Sequence, residues 1–461
     1  MINTVYTYDG IVNGFRRMRA ARRELSDNEL DLSLTRRTMK IGIQTWGSHG
    51  DIRPFLALGE GLQRAGHDVT LVVTSPDSAC DQLASTAGVR IRVVASPVID
   101  AAQTEVVANM AQGMKDPMKQ MATLFRMCFA PAEDAMFAAA RALAAESDLL
   151  IGHYVLHPLQ IAAEQAGKPY VSVMLSHAGV PSAYNHPLQL DFLGKAGNRV
   201  LWWVTKLALN GVLKPYANRL RREQGMPLTR DVVGEVWLSR SLTLVAVSPQ
   251  ICERQPDWPE TVQVCGFLDM PNIEVEGSVP AELEAFLAAG APPVYMTMGS
   301  WMPRDRVWQR ETLQWLTDAA RLAGCRAIIQ SPTWQDCGFA RTDRVFYLSA
   351  SPHHAIFPRC AAIVHHGGAG TTQSATLAGK PSIVVAHISE QEHWGRELGR
   401  IGVAPRLLKR RTATAAALAK RIGEVTADMT SQALLVSAAM RQDRGVETAV
   451  ALIERKFGRT T

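Results

Sequence analysis

The chain has 461 residues, 47% hydrophobic and 20% charged, with a formal net charge of +6 and a pI near 9.0. This length allows two domains with full cores, and a basic excess spread along the chain favours anionic ligands or an acidic membrane surface rather than nucleic acid. Seven cysteines form no C-x-x-C pair and no zinc spacing, which excludes a disulfide framework and fits a reducing cytoplasm.

Residues 1–38 carry Arg16, Arg17, Arg19, Arg22 and Arg23 and lack the apolar run of a secretory signal. They are read as an extension outside the fold, either flexible or upstream of a true start at Met39. Ile41 to Thr45 is strand-like and leads into Gly47-Ser48-His49-Gly50-Asp51, then into a helix near Arg53-Pro54, where proline suits a first turn. Phe55, Leu58, Leu62 and Ala65 keep helical spacing, Gly66 ends the run, and Val69 to Val73 restarts a strand, giving a βαβ unit. The loop lacks the G-x-G-x-x-G of a dinucleotide site, which weakens a nicotinamide dehydrogenase reading.

Strands over Val89–Val94, Leu149–Gly152, Tyr170–Met174, Leu242–Val247 and Val262–Gly266 alternate with helical segments, as in a parallel sheet covered on both faces. Ala101–Arg126 and Ser176–Asn198 are read as variable loops. Val200–Leu209, interrupted by Lys206, is read as an amphipathic helix facing a core, an apolar acceptor pocket or lipid; it is too short and too charged to span a bilayer. Residues 39–266 form the first expected domain and 267–293 a linker region with a helix at Ala281–Leu287. A second strand series at Val294–Met298, Ala327–Gln330, Val345–Leu348, Ala361–Val364 and Ser382–Ala386 places the second domain at 294–440. Residues 441–461 are expected to dock back on the first domain as a helix. The fold class is therefore α/β, with two doubly wound parallel-sheet domains facing across a cleft, because ligands of open α/β sheets bind beyond the carboxyl ends of the strands.

The most informative stretch is Val364-His365-His366-Gly367-Gly368-Ala369-Gly370-Thr371-Thr372, between a buried strand and a helix start. Glycines let the main chain approach an anion, and the free N–H groups and dipole of the first helical turn favour a phosphate there. His366 adds a side-chain donor. The pairs His353-His354 and His365-His366 are poor metal ligands, since adjacent residues rarely reach one ion.

With Phe346-Tyr347-Leu348, Ser351-Pro352-His353, Phe357-Pro358, Ala378-Gly379-Lys380-Pro381, Glu390-Gln391 and Gly402-Val403, this stretch forms a long spaced signature. It resembles the GT-B glycosyltransferases of family 1, which include sterol glucosyltransferases and antibiotic and rhamnolipid-type transferases, over about Met39 to Lys456. Gly47-Ser48-His49-Gly50-Asp51-Ile52-Arg53-Pro54 resembles the sterol-glucosyltransferase loop G-S-x-G-D-x-x-P.

The resemblance implies an acceptor-binding first domain and a second domain for the nucleotide sugar. Many family members carry a histidine base three residues before the proline; Asp51 stands there, so the base is assigned to it, with His49 as second candidate. The bland alternative for Asp51 is a carboxylate satisfying helix N-terminal amides. Gly47, Ser48, Ser300, Ser351, His353, His366, Gly368, Gly370, Thr371, Glu390 and Gln391 are expected to bind the donor, the last two through sugar hydroxyls. Trp202 and Trp203 are expected to meet the acceptor. The segment before Pro352 has no tryptophan for a nucleobase, so backbone contacts near Ser351 and His353 are expected instead.

The expected activity is inverting, metal-independent transfer of a hexose from UDP-glucose to a hydroxyl of a sterol, triterpenoid, polyketide or lipid, with no cofactor beyond the nucleotide sugar. Alternatives are a TDP-deoxysugar transferase of the rhamnosyl type, a GT-B sugar-nucleotide epimerase or envelope-precursor transferase, and a non-catalytic sugar-nucleotide-binding protein. No nucleic-acid partner is expected. The expected location is cytoplasmic, with peripheral membrane contact left open.

Overall fold

The computed structural model describes residues 37–75, 89–94, 101–269, 279–350 and 352–458. Most of the arginine-rich extension, residues 270–278 of the linker region, and Ser351 lie outside the described residues.

Seven parallel strands form the first sheet: β1 (Lys40–Trp46), β2 (Asp68–Thr74), β3 (Arg90–Val93), β4 (Leu149–His153), β5 (Tyr170–Met174), β6 (Leu242–Val245) and β7 (Val262–Val264), in the order β3-β2-β1-β4-β5-β6-β7. Their near-continuous apolar runs are buried because helices cover both faces. These helices are α1 (His49–Arg64), α2 (Ala101–Gly113), α3 (Pro117–Leu124), α4 (Glu133–Glu146), α5 (His157–Gln165) and α6 (Gly194–Glu223). The segment read as a variable loop at 101–126 is largely helical. Asp116 caps α3 by accepting from the Met118 and Lys119 amides at 2.8 and 3.4 Å, and Pro117 suits the first position. The amphipathic helix read at 200–209 extends to 30 residues and absorbs Asn198, the end of the other supposed loop.

After α7 (Ala281–Ala288), six parallel strands form the second sheet, in the order β10-β9-β8-β11-β12-β13. They are β8 (Val294–Thr297), β9 (Ala327–Gln330), β10 (Val345–Leu348), β11 (Ala362–His365), β12 (Ser382–Ala386) and β13 (Leu408–Lys409). Around them lie α8 (Arg306–Ala323), α9 (His353–Ile356), α10 (Ala369–Leu377), α11 (Ser389–Arg400), α12 (Ala415–Gly423) and α13 (Ala427–Met440). α8 begins where Asp305 accepts from the Val307 and Trp308 amides, and it ends at Gly324 in the left-handed conformation, φ 65°.

The last helix, α14 (Gly445–Phe457), returns to the first sheet, placing Ala449, Val450 and Ile453 in the core beneath α1. Gly61 of α1 has no room for a Cβ against Val446, so the two helices meet closely there.

Both sheets reverse strand order once, between β1 and β4 and between β8 and β11. At such a switch point the neighbouring loops diverge and leave a crevice. The two crevices face each other because the domains are locked together beside them. The Gln373 amide of α10 donates to the Ala246 carbonyl at 3.1 Å and accepts from the Ser248 amide at 2.9 Å. Trp394 of α11 is fully buried among Met174, Val245, Ile251 and Trp258 of the first domain. No described helix is long and apolar enough to cross a membrane.

Candidate active site

The residues after β1 build one wall of the cleft. Gly47 adopts φ +133°, a region closed to most side chains, and a Cβ there would collide with the Asp51 carboxylate. The chain therefore folds back tightly enough for Asp51 Oδ2 to accept from the Ser48 amide at 2.8 Å and the Ser48 hydroxyl at 3.0 Å. Gly47 and Ser48, expected from sequence to meet the donor, also shape this loop: the Gly47 amide donates to the Thr74 carbonyl at 3.1 Å, and Ser48 donates to Asp51.

Asp51 Oδ1 lies 3.9 Å from His153 Nε2 at the end of β4, on the opposite side of the switch point. His153 was not among the residues singled out from sequence. It is buried, its Nδ1 finds no partner, and burial pushes its pKa down to about 3, so it is a neutral imidazole against Phe55 and Tyr154. Local sequence carries no signal for it: β4 pairs with β1 with Gln44 opposite Gly152, and only that register brings the residue after Gly152 beside the loop that carries Asp51. The Asp51 side chain keeps 37% of its surface exposed, yet desolvation raises its pKa against the lowering effect of the Ser48 hydrogen bonds. A carboxylate with a raised pKa and one oxygen free is suited to accept a proton. His49 opens α1 beside it, half-buried.

The opposite wall is built the same way. His366 follows β11, and its buried ring lies between Gly299, after β8, and Gly368. A Cβ on Gly299 would come within 2.6 Å of the ring, and one on Gly368 would overlap it. Both glycines are required by this close approach. Burial lowers the His366 pKa to about 4, so the ring is neutral here rather than the cation that its type allows, and its Nδ1 is without a partner. Gly368 caps α10 with no side-chain hydrogen bond, and the space over Gly370 is open. The first-turn amides near Gly370 and Thr371 are thus free of side-chain caps, which is what an anion needs. Ser300 is exposed beside this loop, after Gly299.

His353 begins α9, stacked on Phe357 at 4.3 Å and edge-on to Tyr295. Burial and then the charge of Arg53 hold its pKa down at about 3. Arg53, read from sequence only as the start of a helix, thus contributes positive charge felt by a residue of the second domain.

The pair Glu390-Gln391 divides. Glu390 is exposed at the start of α11, and its pKa is raised to about 7 by desolvation and by the charge of Asp51 across the cleft. Gln391 is buried, and its amide oxygen accepts from the His387 amide at 2.7 Å and the Ile388 amide at 3.4 Å. That oxygen completes the turn into α11 and is unavailable to a sugar.

Trp202 is buried, and its indole N–H donates to the Asn185 carbonyl at 2.9 Å, while Trp203 is 67% exposed. Both border one open surface concavity, together with Arg199, Lys206 and Asp257. Only Trp203 presents a free ring.

Comparison with known proteins agrees with this arrangement. Residues 41–172 match the glycosyltransferase family 28 N-terminal domain, and residues 342–451 match the C-terminal domain of erythromycin biosynthesis protein CIII-like proteins. The chain is 31% identical over 435 residues to O-mycaminosyltylonolide 6-deoxyallosyltransferase of Streptomyces fradiae, covering 90% of this chain and 97% of that protein. It is 27% identical over 396 residues to a sterol 3-beta-glucosyltransferase of Arabidopsis thaliana, covering 80% of this chain and 60% of the other. Among solved structures, the glycosyltransferase of kitacinnamycin superposes with a TM-score of 0.65 at 18% identity, covering 91% of this chain and 99% of that one. With two switch-point crevices facing each other and a sequence match along nearly its whole described length, the chain belongs to the family 1 glycosyltransferases of the GT-B fold and is a sugar transferase of the natural-product type.

Proposed function

We propose that the protein transfers a hexose, with inversion and without a catalytic metal, from a pyrimidine nucleoside diphosphate sugar to a hydroxyl of a lipophilic small molecule. The observation that carries this reading is that the Asp51 loop after β1 and the His366 glycine loop after β11 each stand at a switch point, the first holding a carboxylate and the second opening α10 with no side-chain cap. It supports a proton acceptor and a diphosphate site acting across one cleft.

In this mechanism Asp51 Oδ1 takes the acceptor's hydroxyl proton as the oxygen attacks the anomeric carbon. The new C–O bond forms as the bond to the diphosphate breaks in line behind it, and the diphosphate leaves with the electron pair. The proton ends on Asp51. The charge developing on the leaving oxygens is met by the N–H of His366 and by the amides at the start of α10, already oriented and needing no reorganisation. A single carboxylate base acting on one face of the sugar gives inversion. Glu390, with a pKa near 7, is partly protonated at neutral pH and offers both donor and acceptor to a sugar hydroxyl.

Two donors are supported by different observations. The 31% identity to a 6-deoxyallosyltransferase supports a TDP-deoxyhexose, whereas the Gly47–Pro54 loop and the sterol glucosyltransferase match support UDP-glucose. Polyketide lactones and sterols are the acceptor classes these relatives suggest, and Trp203 is the exposed ring offered to them. The test is a matrix of both donors against macrolide and sterol alcohols without added Mg²⁺ or Mn²⁺, with product anomers read by NMR. A product of inverted configuration is expected. Retention, a strict requirement for added metal, or conversion of the donor with no acceptor would each defeat the proposal.

A further inference from the structure

A second cluster of chemically active side chains lies where the domains join. His177 stands in the turn after β5, while His393 and Glu397 lie one helical turn apart on α11. One ligand atom from each falls within 4.8 Å of the others, and all three residues are buried. Sequence reading passed over this H-x-x-x-E spacing because its third member is more than 200 residues away in the chain.

The packing is odd for a purely structural contact. Neither nitrogen of the His393 ring has a hydrogen-bond partner, although the ring is only 4% exposed, and the Nδ1 of His177 is likewise unpartnered. Buried polar nitrogens left without partners are destabilising. The two rings meet edge to face at 4.7 Å. Glu397 is fixed from outside: Oε1 accepts from the Gln189 amide at 2.7 Å and Oε2 from Arg400 Nε at 2.9 Å. A carboxylate held by outer partners is typical of a ligating one. Cys252 is buried nearby but lies outside this set of converging ligand atoms, its thiol directed at the Glu253 carbonyl.

We infer that His177, His393 and Glu397 form an interdomain binding site for a divalent transition cation of the zinc type, with water in the fourth position. Two imidazoles and a carboxylate suit zinc better than magnesium or calcium, which take mainly oxygen ligands. The ion would be structural. It would tie the turn after β5 to the helix that carries Glu390, fixing how far the cleft opens, and it takes no part in the transfer step proposed above.

The experiment loads untagged, full-length protein with Co²⁺ or Zn²⁺, removes free metal, and measures bound metal by mass spectrometry and the visible Co²⁺ spectrum. One equivalent per chain with a tetrahedral Co²⁺ band is expected. Affinity should fall by at least about 10-fold to 100-fold in H393Q, and Zn²⁺ should raise the Tm of the unaltered protein but not of the variant. If H393Q fails to fold by circular dichroism, H177N carries the same readouts. No stoichiometric uptake, or uptake unchanged in the folded variant, would reduce the cluster to a buried ion pair and overturn the inference. Because metal content is read without any sugar substrate, that failure leaves the transferase proposal standing, and absence of transfer leaves the metal result standing.

Discussion

Asp51 and Glu390 come from different domains, 339 positions apart in the chain, yet the charge of Asp51 helps to raise the pKa of Glu390 to about 7. Desolvation first and then the Asp51 charge raise the Glu390 pKa, so Glu390 is partly protonated near neutral pH although its side chain is exposed at the cleft. A diphosphate there meets less negative charge than two ionised carboxylates would present.

This coupling sets a pH signature. Glu390 binds its proton more tightly in the folded state than in the unfolded chain, so its contribution to stability is fully present below the ordinary carboxylate value of 4.5 and is lost as pH rises through about 7. In E390Q the fall in Tm between those pH values should become shallower, and the rise in donor KM above pH 7 should disappear. Unchanged slopes in both measurements would show that the carboxylates do not interact.

Removing the base should leave binding intact. In D51N the product-forming rate is expected to drop by roughly 10²-fold to 10⁴-fold, the range of general-base catalysis, while nucleotide binding by thermal shift stays within about twofold. Asn retains the size of Asp and the two Ser48 contacts, so the variant separates proton transfer from loop shape.

Loop shape has its own test in G47A. The new methyl would meet the Asp51 carboxylate at a φ of +133°, costing on the order of 1–3 kcal/mol of stability. Activity should fall further than stability explains, because the displaced group is the base itself. A variant with normal turnover would place Asp51 outside the reaction.

How much of this was legible in the sequence depends on distance along the chain. Both glycine loops, the short helix read at 281–287 and every strand but the two-residue β13 follow from local pattern, since apolar periodicity and turn residues act within a few positions. His153 escaped because a lone histidine ending an apolar strand looks like core; only the pairing of β4 beside β1 gives it a neighbour in Asp51. Gln391 carries a feature hidden for the opposite reason: its amide oxygen accepts from the backbone amides four and three residues earlier, a cap that residue type alone does not distinguish from a sugar contact. The neutral state of His366 was hidden as well, because burial between Gly299 and Gly368 is a property of the assembled switch point.

That burial leads to a prediction for the phosphate wall. The His366 ring can still donate one N–H to a diphosphate, and a hydrogen bond to a charged group contributes about 1.5–3 kcal/mol. H366A should therefore weaken nucleoside diphosphate binding by roughly 10-fold to 100-fold in calorimetry, while H366Q, which restores a donor, should recover part of the loss. G368A should mimic H366A without removing the ring, since its methyl would take the space that the imidazole occupies. If all three variants bind the nucleotide as tightly as the unaltered chain, the anion sits elsewhere, and the amides at the start of α10 lose their assigned role with it.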